Sequence, residues 1–420
     1  MMPLTVLRDA DVDRILHSYT REDILELQRT LADALHWYST SSDANDYCSD
    51  FQPERIALNR KDGSTTFFMP ASCIDGQAVK VINLSGCVNP KPSSNASEKY
   101  VDGERLDAKG AISGSLTLMD SAGNTTGLVH ATELTAFRTA LASTMLLKKR
   151  SSVHTLTVFG AGLQAYWHIR LAMLLRPGEI HHLNVITRNF ERATKCLIRL
   201  YDPQPNDPNF TNNVDERYNS KTKSTILTTV HSEFQRLRKN HIRSADVIFC
   251  CTPSTTPLFP AECLTNPEGQ KKGRYVACIG SYKPDMIELD PDVLRFAVSQ
   301  PQKHHRLHRR SREGGAVIVD TVTGALSQAG EIVQAKLLPE QVVELGELVM
   351  LSKEAKARRA AVGQSVDEGC NFQDDEALQD WVTRGNVLYK SVGLGLVDVV
   401  VGNEVIDRAR QTDIGVTIDF

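Results

Sequence analysis

The stretch from Thr155 to Arg188, TLTVFGAGLQAYWHIRLAMLLRPGEIHHLNVITR, constrains the chain more than any other. Leu156 to Phe159 is a short apolar run that reads as a buried strand. It leads directly into Gly160-Ala161-Gly162-Leu163-Gln164-Ala165, a GxGxxG pattern with alanine in third place. Ile169, Leu171, Ala172, Met173 and Leu175 follow at helical spacing, and Arg176-Pro177-Gly178 ends that helix. Leu183 to Ile186 is a second apolar run. Strand, glycine turn, helix, strand is the context in which this motif holds a dinucleotide, although a glycine turn alone occurs in other α/β domains.

Each position has a physical role. Gly160 permits the tight turn, Gly162 lets a pyrophosphate approach the backbone, and Ala165 lets the helix pack on the strand. The unpaired N–H groups of the helix start, which includes Leu163 and Gln164, then face the phosphates. An NAD site usually carries an acid at the end of the second strand, where it bonds the ribose 2′-hydroxyl. This chain instead has Thr187-Arg188-Asn189 there. Arg188 suits a 2′-phosphate, because a charge-assisted hydrogen bond is worth roughly 1.5–3 kcal/mol. The expectation is therefore NADP(H) over NAD(H), the alternative being that Arg188 is a surface residue opening the next helix.

A length of 420 residues accommodates two domains, and 41% apolar with 24% charged residues is ordinary for a globular chain. The net charge of −3 argues against a general nucleic-acid binder. No apolar run approaches the roughly 20 residues that span a bilayer. The start, MMPLTVLRDADVDR, has neither the basic nor the apolar region of a signal peptide. The nine cysteines are odd in number and lack CxxC spacing, which fits reduced thiols in a cytoplasmic protein with no zinc site. The histidines show no HExxH spacing, no GxSxG is present, and His168 reads as a helix-packing residue.

Before the dinucleotide stretch the chain is strand-rich. Leu4 to Arg8 reads as a strand and Asp9 to Tyr19 as a helix, and Thr20 caps a longer helix with Ile24, Leu27, Leu31 and Leu35 on one face. RIALNR from Arg55 and TTFFMPA flank Asp62-Gly63, a hairpin signal, and QAVKVINLSG follows. GAISGSLTLMD and TTGLVH form another hairpin, and Ala131 to Lys149 reads as a helix. These elements indicate a separate, largely antiparallel domain. The second domain starts near Ser151. Its strands are expected at 155–159, 183–187, 226–230, 246–250, 275–279 and 316–320, the pattern of a doubly wound sheet. Residues 204–224 read as a loop insertion, 303–312 (KHHRLHRRSR) as a basic surface segment, 353–359 as helix, 367–375 as exposed loop and 387–410 as one helix.

Three cations of the first domain are candidates for a substrate anion: Arg55 at a strand start, Lys80 within AVKVI, and Arg138 within ELTAFRTALAST. Together they would suit an α-carboxylate or α-keto acid; singly each also fits an ordinary ion pair or surface position. The loops Gly280-Ser281-Tyr282-Lys283-Pro284 and Cys251-Thr252-Pro253 follow apolar strands, as do Asp320 and Thr321. In a doubly wound sheet such carboxyl ends line the ligand crevice, and simple turn chemistry is the alternative.

Several motifs recur in one order: FFMPA (67–71), VKVIN (79–83), LTAFRTALAS (134–143), GAGLQAYWH (160–168), ITR (186–188), GSYKPDMIELD (280–290), VDT (319–321), GELV (346–349) and YKSVGLGLVD (389–398). On this set the chain resembles the ornithine cyclodeaminase/mu-crystallin family over nearly its whole length. The resemblance implies an α/β protein in which residues 151–349 form a Rossmann domain. Residues 1–150 and 350–420 would form a discontinuous α+β domain that binds substrate and makes a homodimer. It implies substrate-carboxylate roles for Arg55, Lys80 and Arg138. Nucleotide positions would be Gly160, Ala161, Gly162, Leu163, Gln164, Thr187, Arg188, Thr252 and Ser281, with Asn189 beside them. Ser391 would lie close to the nicotinamide.

One departure bears on the reaction. Cyclodeaminases of the family carry an aspartate in the loop after the fifth Rossmann strand, where this chain has Tyr282. A tyrosine, with an ordinary pKa of about 10, is no carboxylate at neutral pH. The expectation is an NADPH-linked reductase that adds hydride to the C=N carbon of a cyclic or N-substituted ketimine carboxylate, with Lys80 or solvent giving the proton. The alternatives are an ornithine-type cyclodeaminase that recycles NAD, an amino-acid dehydrogenase, and a non-catalytic member that binds a small carboxylated ligand. Neither nucleic acid nor membrane is an expected partner.

Overall fold

A computed structural model describes residues 3–40, 52–74, 76–84, 112–201, 222–299, 315–349 and 376–419, and its strands form two sheets. The first sheet holds β1 (Leu4–Leu7), β2 (Ile56–Asn59), β3 (Thr65–Cys73), β4 (Gly76–Leu84), β5 (Ile112–Met119), β6 (Thr125–His130) and β15 (Val416–Ile418). Their order is β15-β1-β6-β5-β4-β3-β2. β2 to β6 run as an antiparallel meander, while β1 pairs parallel with β6 and antiparallel with β15. The Asp62-Gly63 turn forms as its sequence predicts: Gly63 has φ 80° and the Asp62 carboxylate accepts the Ser64 amide at 2.9 Å. Thr20 and Asp23 exchange side-chain and backbone hydrogen bonds at 3.2 and 2.8 Å, which starts the helix Arg21–Thr40.

Alternation along β4 sends Ala78, Lys80 and Ile82 to the buried face of this sheet. The helices Ala131–Ser143 and Gly395–Thr412 cover that face. Close approach requires small residues in the second helix: a Cβ on Gly402 would lie 2.7 Å from Leu116 Cδ2.

The second sheet is entirely parallel. It holds β7 (Thr155–Phe159), β8 (His182–Thr187), β9 (Lys223–Thr228), β10 (Val247–Cys250), β11 (Tyr275–Cys278), β12 (Val317–Val319), β13 (Val342–Glu344) and β14 (Val387–Lys390), in the order β13-β12-β14-β11-β10-β7-β8-β9. The central strands β7, β10, β11 and β14 are buried throughout, and apolar residues fill most of their positions.

Three expectations are corrected. The tail 387–410 is not one helix: Val387–Lys390 is a strand, and the helix begins only at Gly395. The break is the turn 391–394, where Gly393 has φ 107°. The expected boundary at 349/350 also moves, because β14 sits between β12 and β11 in the parallel sheet and the chain rejoins the first layer with the Gly395 helix. The helix expected over 131–149 ends at Ser143, and a 3-10 turn covers Leu147–Lys149. The segments 303–312, 353–359 and 367–375, and residues 204–221 of the expected insertion, lie outside the described residues. Among the described residues no helix is long and apolar enough to cross a membrane.

Candidate active site

The glycine turn leaves β7 at Gly160, which has φ 111° and donates its amide to the Ile186 carbonyl at 2.9 Å. A side chain there would press on the Cys251 carbonyl at 2.9 Å. Gly162 caps the helix Leu163–Leu175 with an ordinary φ of −91°, and no atom lies within 4 Å of where its Cβ would be. The turn therefore leaves open space over a helix start whose first N–H groups lack helical partners. Ala161, Leu163 and Gln164 line this turn, and Ala165 is fully buried beneath it. Space, exposed amides and the positive helix end together fit a pyrophosphate.

At the end of β8 the three expected residues part company. Thr187 Oγ1 accepts the Asn189 amide at 3.2 Å, and Asn189 Oδ1 accepts the Arg192 amide at 2.9 Å. Asn189 thus caps the helix Phe190–Tyr201, and its carbonyl oxygen is occupied. Arg188 is exposed and forms no hydrogen bond or ion pair with a described residue.

The loops after β10 and β11 meet edge to edge. A Cβ on Gly280 would lie 2.1 Å from the Thr252 carbonyl oxygen. The Thr252 amide and hydroxyl donate to Glu288 Oε1 at 2.6 and 3.2 Å. Ser281 is fully buried and its hydroxyl donates to Glu331 at 2.6 and 2.7 Å, so its side chain turns into the protein and away from the crevice. The Ser391 hydroxyl likewise donates to Asp320 Oδ2, at 2.9 Å. Asp320 also accepts the amides of Val392 and Gly393, the latter at 2.7 Å, and so fixes the turn between β14 and the last helix.

The three cations converge. Lys80 Nζ donates to Asp398 Oδ2 at 2.7 Å, and Arg138 Nε lies 3.1 Å from Asp398 Oδ1. The side chains of Lys80, Arg138 and Asp398 are buried. The Arg138–Asp398 contact is an ion pair without hydrogen-bond geometry, so neither Arg138 Nε nor Asp398 Oδ1 has a hydrogen-bond partner among the described residues. The Arg138 guanidinium lies beside Gly393, 3.4 Å from where a Cβ would stand. Burial, then the charge of Arg138, and less strongly that of Arg55, push the Lys80 ammonium down to about 8, against the pull of Asp398. Arg55 donates to the Tyr282 carbonyl at 2.6 Å and lies over the Phe67 ring. Burial lowers its pKa, opposed by Asp320 and Tyr282. Tyr282 itself packs against Phe67, Met69, Ile82 and Ala131 of the first sheet and its helix.

No family model matches the chain. An uncharacterized protein of Saccharomyces cerevisiae is 24% identical over 97% of this chain and 98% of its own. A Delta(1)-pyrroline-2-carboxylate reductase of Colwellia psychrerythraea is 24% identical, covering 73% of this chain and 76% of the relative. The ketimine reductase mu-crystallin of Mus musculus is 25% identical, covering 69% and 78%. Among solved structures, the Delta(1)-pyrroline-2-carboxylate reductase of Thermococcus litoralis, in complex with NADH and L-proline, superposes with TM-score 0.63 at 18% identity over 98% of this chain and 99% of that one. An archaeal alanine dehydrogenase dimer with bound NAD gives 0.62 at 16% identity, with all of both chains covered. The probable ornithine cyclodeaminase of Bordetella pertussis gives 0.59 at 20% identity, with 99% of each covered. In sequence and in fold the chain is similar to proteins of the ornithine cyclodeaminase/mu-crystallin family.

Three buried carboxylates that shape the site, Asp398, Glu288 and Glu331, are not singled out by the sequence. Asp398 lay in the YKSVGLGLVD motif, but a carboxylate in an apolar helix carries no sign of its partners. An acid within a helix that buries Val397, Val399, Val400 and Val401 was the available signal. His168, read as a packing residue, is buried and hydrogen-bonded to Ser143 Oγ at 2.6 Å.

Proposed function

We propose that this protein is an NADPH-linked reductase of cyclic or N-substituted ketimine carboxylates, giving the corresponding amino acids. The observation that carries the reading is the convergence of Lys80 and Arg138 on Asp398, beside an Arg55 that reaches the Tyr282 loop. The relatives point to an NAD(P)-dependent enzyme. When bound, the reduced nicotinamide supplies hydride.

The chain's own residues do the rest. Arg138 and Arg55 bind the substrate carboxylate, and a guanidinium does this through paired N–H donors. Asp398 holds Lys80 Nζ within the cluster, and Lys80, brought down to about 8, gives its proton to the imine nitrogen near neutral pH. Positioning supplies much of the rate, because the cations fix the C=N group in one orientation. Tyr282 takes the place of an acid toward the substrate amine, which disfavours ammonia release. Gly160 to Gln164 hold the pyrophosphate, Arg188 the 2′-phosphate, and Thr252 with the turn at Ser391 borders the nicotinamide. The preference for NADP rests on the exposed Arg188, since the related structures hold NADH or NAD.

The exposed apolar face of the first sheet supports a homodimer. Ile56, Leu58, Phe68, Leu128, Val416 and Ile418 are exposed along its strands. Such a face on a folded chain marks an association surface, and a second copy of this chain is the proposed occupant. The archaeal alanine dehydrogenase of similar fold is a dimer.

The experiment is a panel of pyrroline-, piperideine- and thiomorpholine-type carboxylates with NADPH, followed by loss of reduced-nicotinamide absorbance. No oxidation on any of them would rule out the substrate class. Arg188→Asp should move preference toward NADH by about ten- to a hundredfold, one charge-assisted hydrogen bond. An unchanged NADPH/NADH ratio would remove the case for NADP. A second reading, the cyclodeaminase, is favoured by the structural match to the Bordetella pertussis protein; ammonia released from ornithine with no net nicotinamide change would establish it.

A further inference from the structure

We infer that Glu288 is a positioning residue that ties together the two loops bordering the nicotinamide end of the cofactor site, and that it does so as a carboxylate. The inference rests on the dinucleotide reading of the Gly160 turn.

Glu288 is fully buried. Its Oε1 accepts the Thr252 amide at 2.6 Å and the Thr252 hydroxyl at 3.2 Å, while Oε2 accepts the Gly280 amide at 2.7 Å. These donors belong to two loops, one after β10 and one after β11. No side chain separates the loops, since Gly280 sits against the Thr252 carbonyl. The Thr252 methyl also lies 3.2 Å from where a Cβ on Gly160 would be, so the carboxylate's reach extends to the dinucleotide turn itself. The Glu288 amide in turn donates to Glu331 Oε1 at 2.7 Å, and Glu331 takes the Ser281 hydroxyl. Lys390 Nζ donates to the Ser281 carbonyl and hydroxyl at 2.6 Å each.

Every donor facing Glu288 suits an acceptor-only group. Each oxygen already accepts a loop amide, so protonation of either weakens one of those bonds, and only the Thr252 hydroxyl could turn to accept the added proton. Charge around Glu288 comes from Lys390 on β14 and Glu331 on the helix Gly330–Ala335, with the thiols of Cys250, Cys251 and Cys278 packed nearby. Burial pushes its carboxyl up to about 7, with Lys390 and the two loop amides opposing and Glu331 adding to the rise. Protonation therefore falls near neutral pH, and the loops hold their cofactor-bearing geometry above it.

The test is NADH binding to the full chain by fluorescence between pH 6 and 8.5. NADH is the right probe because it lacks the 2′-phosphate monoester, which titrates near 6 as other phosphate monoesters do. The native protein should bind about tenfold more weakly at pH 6 than at pH 8, following one group near 7. Glu288→Gln should bind about tenfold more weakly at pH 8 and lose the pH dependence. A role in stability alone would lower the melting temperature and leave the slope unchanged. A native affinity flat with pH, or a folded Glu288→Gln that keeps the native slope, would overturn the inference; where the variant does not fold, the native pH profile decides. Binding of neither NADH nor NADPH at any pH would remove the dinucleotide reading and this inference with it.

Discussion

Lys80 Nζ lies 2.7 Å from Asp398 Oδ2, across 318 positions of sequence, and both side chains are only 1% exposed. The pair joins the centre of the first sheet to the last helix. That helix follows directly on β14 of the parallel sheet, so one carboxylate registers the cation cluster against the strand ends where a nucleotide would sit.

Asp398→Asn should destabilise the fold by about 3–5 kcal/mol, because it leaves Lys80 and Arg138 buried without their counter-charge. Urea unfolding measures this. A variant as stable as the native chain would mean that the cluster finds its counter-charge elsewhere.

Lys80 predicts a pH profile. Its ammonium is brought down to about 8, so as the proton donor it should give a kcat/KM for reduction that is level below pH 8 and falls above it, and Lys80→Arg should lose that limb. The stability effect has the opposite sense. The folded chain holds this proton less tightly than the unfolded chain, whose lysine titrates at 10.5, so this group adds stability as pH rises from about 8 toward 10.5. Denaturation at several pH values checks the second point, and a kcat/KM unchanged to pH 9.5 would contradict the first.

The two glycines of the turn separate folding from binding. Gly160→Ala places a Cβ at φ 111° and 2.9 Å from a carbonyl oxygen, which should cost about 1–2 kcal/mol or more. Gly162→Ala meets no atom within 4 Å and has an ordinary φ, so its melting temperature should stay native while nucleotide affinity falls about tenfold, one displaced phosphate contact. Gly162→Ala with native affinity would place the pyrophosphate elsewhere.

Local signals carried much of this fold. The Asp62-Gly63 hairpin, the Thr20 cap and the β7–β8 unit were readable because each is decided by neighbours in sequence. β14 was not, because Val387, Leu388 and Tyr389 with Lys390 ahead of SVGLGLVDVVV blend into helical spacing, and a strand of that length depends on the two strands it lies between. β13, three residues long at the edge of the sheet, carries too short a pattern to be read locally and is defined by its pairing with β12. Lys80 was legible as a cation in an apolar strand, but its face was not; only alternation against β3 and β5 turns it inward. Ser281 was assigned to the crevice from its place after β11, and its hydroxyl went inward because a buried Glu331, 50 positions on, accepts it.

Phe68→Lys on the outer face of the first sheet should convert a dimer to a monomer without loss of the melting transition of the subunit, since the residue is exposed in the single chain. Sedimentation velocity of the native chain and the variant decides. Two identical monomeric profiles, or two identical dimeric ones, would contradict the proposed interface.

The central claim is that the cation cluster serves net reduction of a C=N carboxylate. The most direct measurement gives the purified protein a cyclic imine carboxylate with NADPH and, separately, ornithine with NAD, and quantifies nicotinamide and ammonia in both. The account predicts NADPH consumed in step with amino acid formed, and no ammonia from ornithine. Ammonia from ornithine with no net change in nicotinamide, alongside no NADPH consumption with the imine, would contradict it.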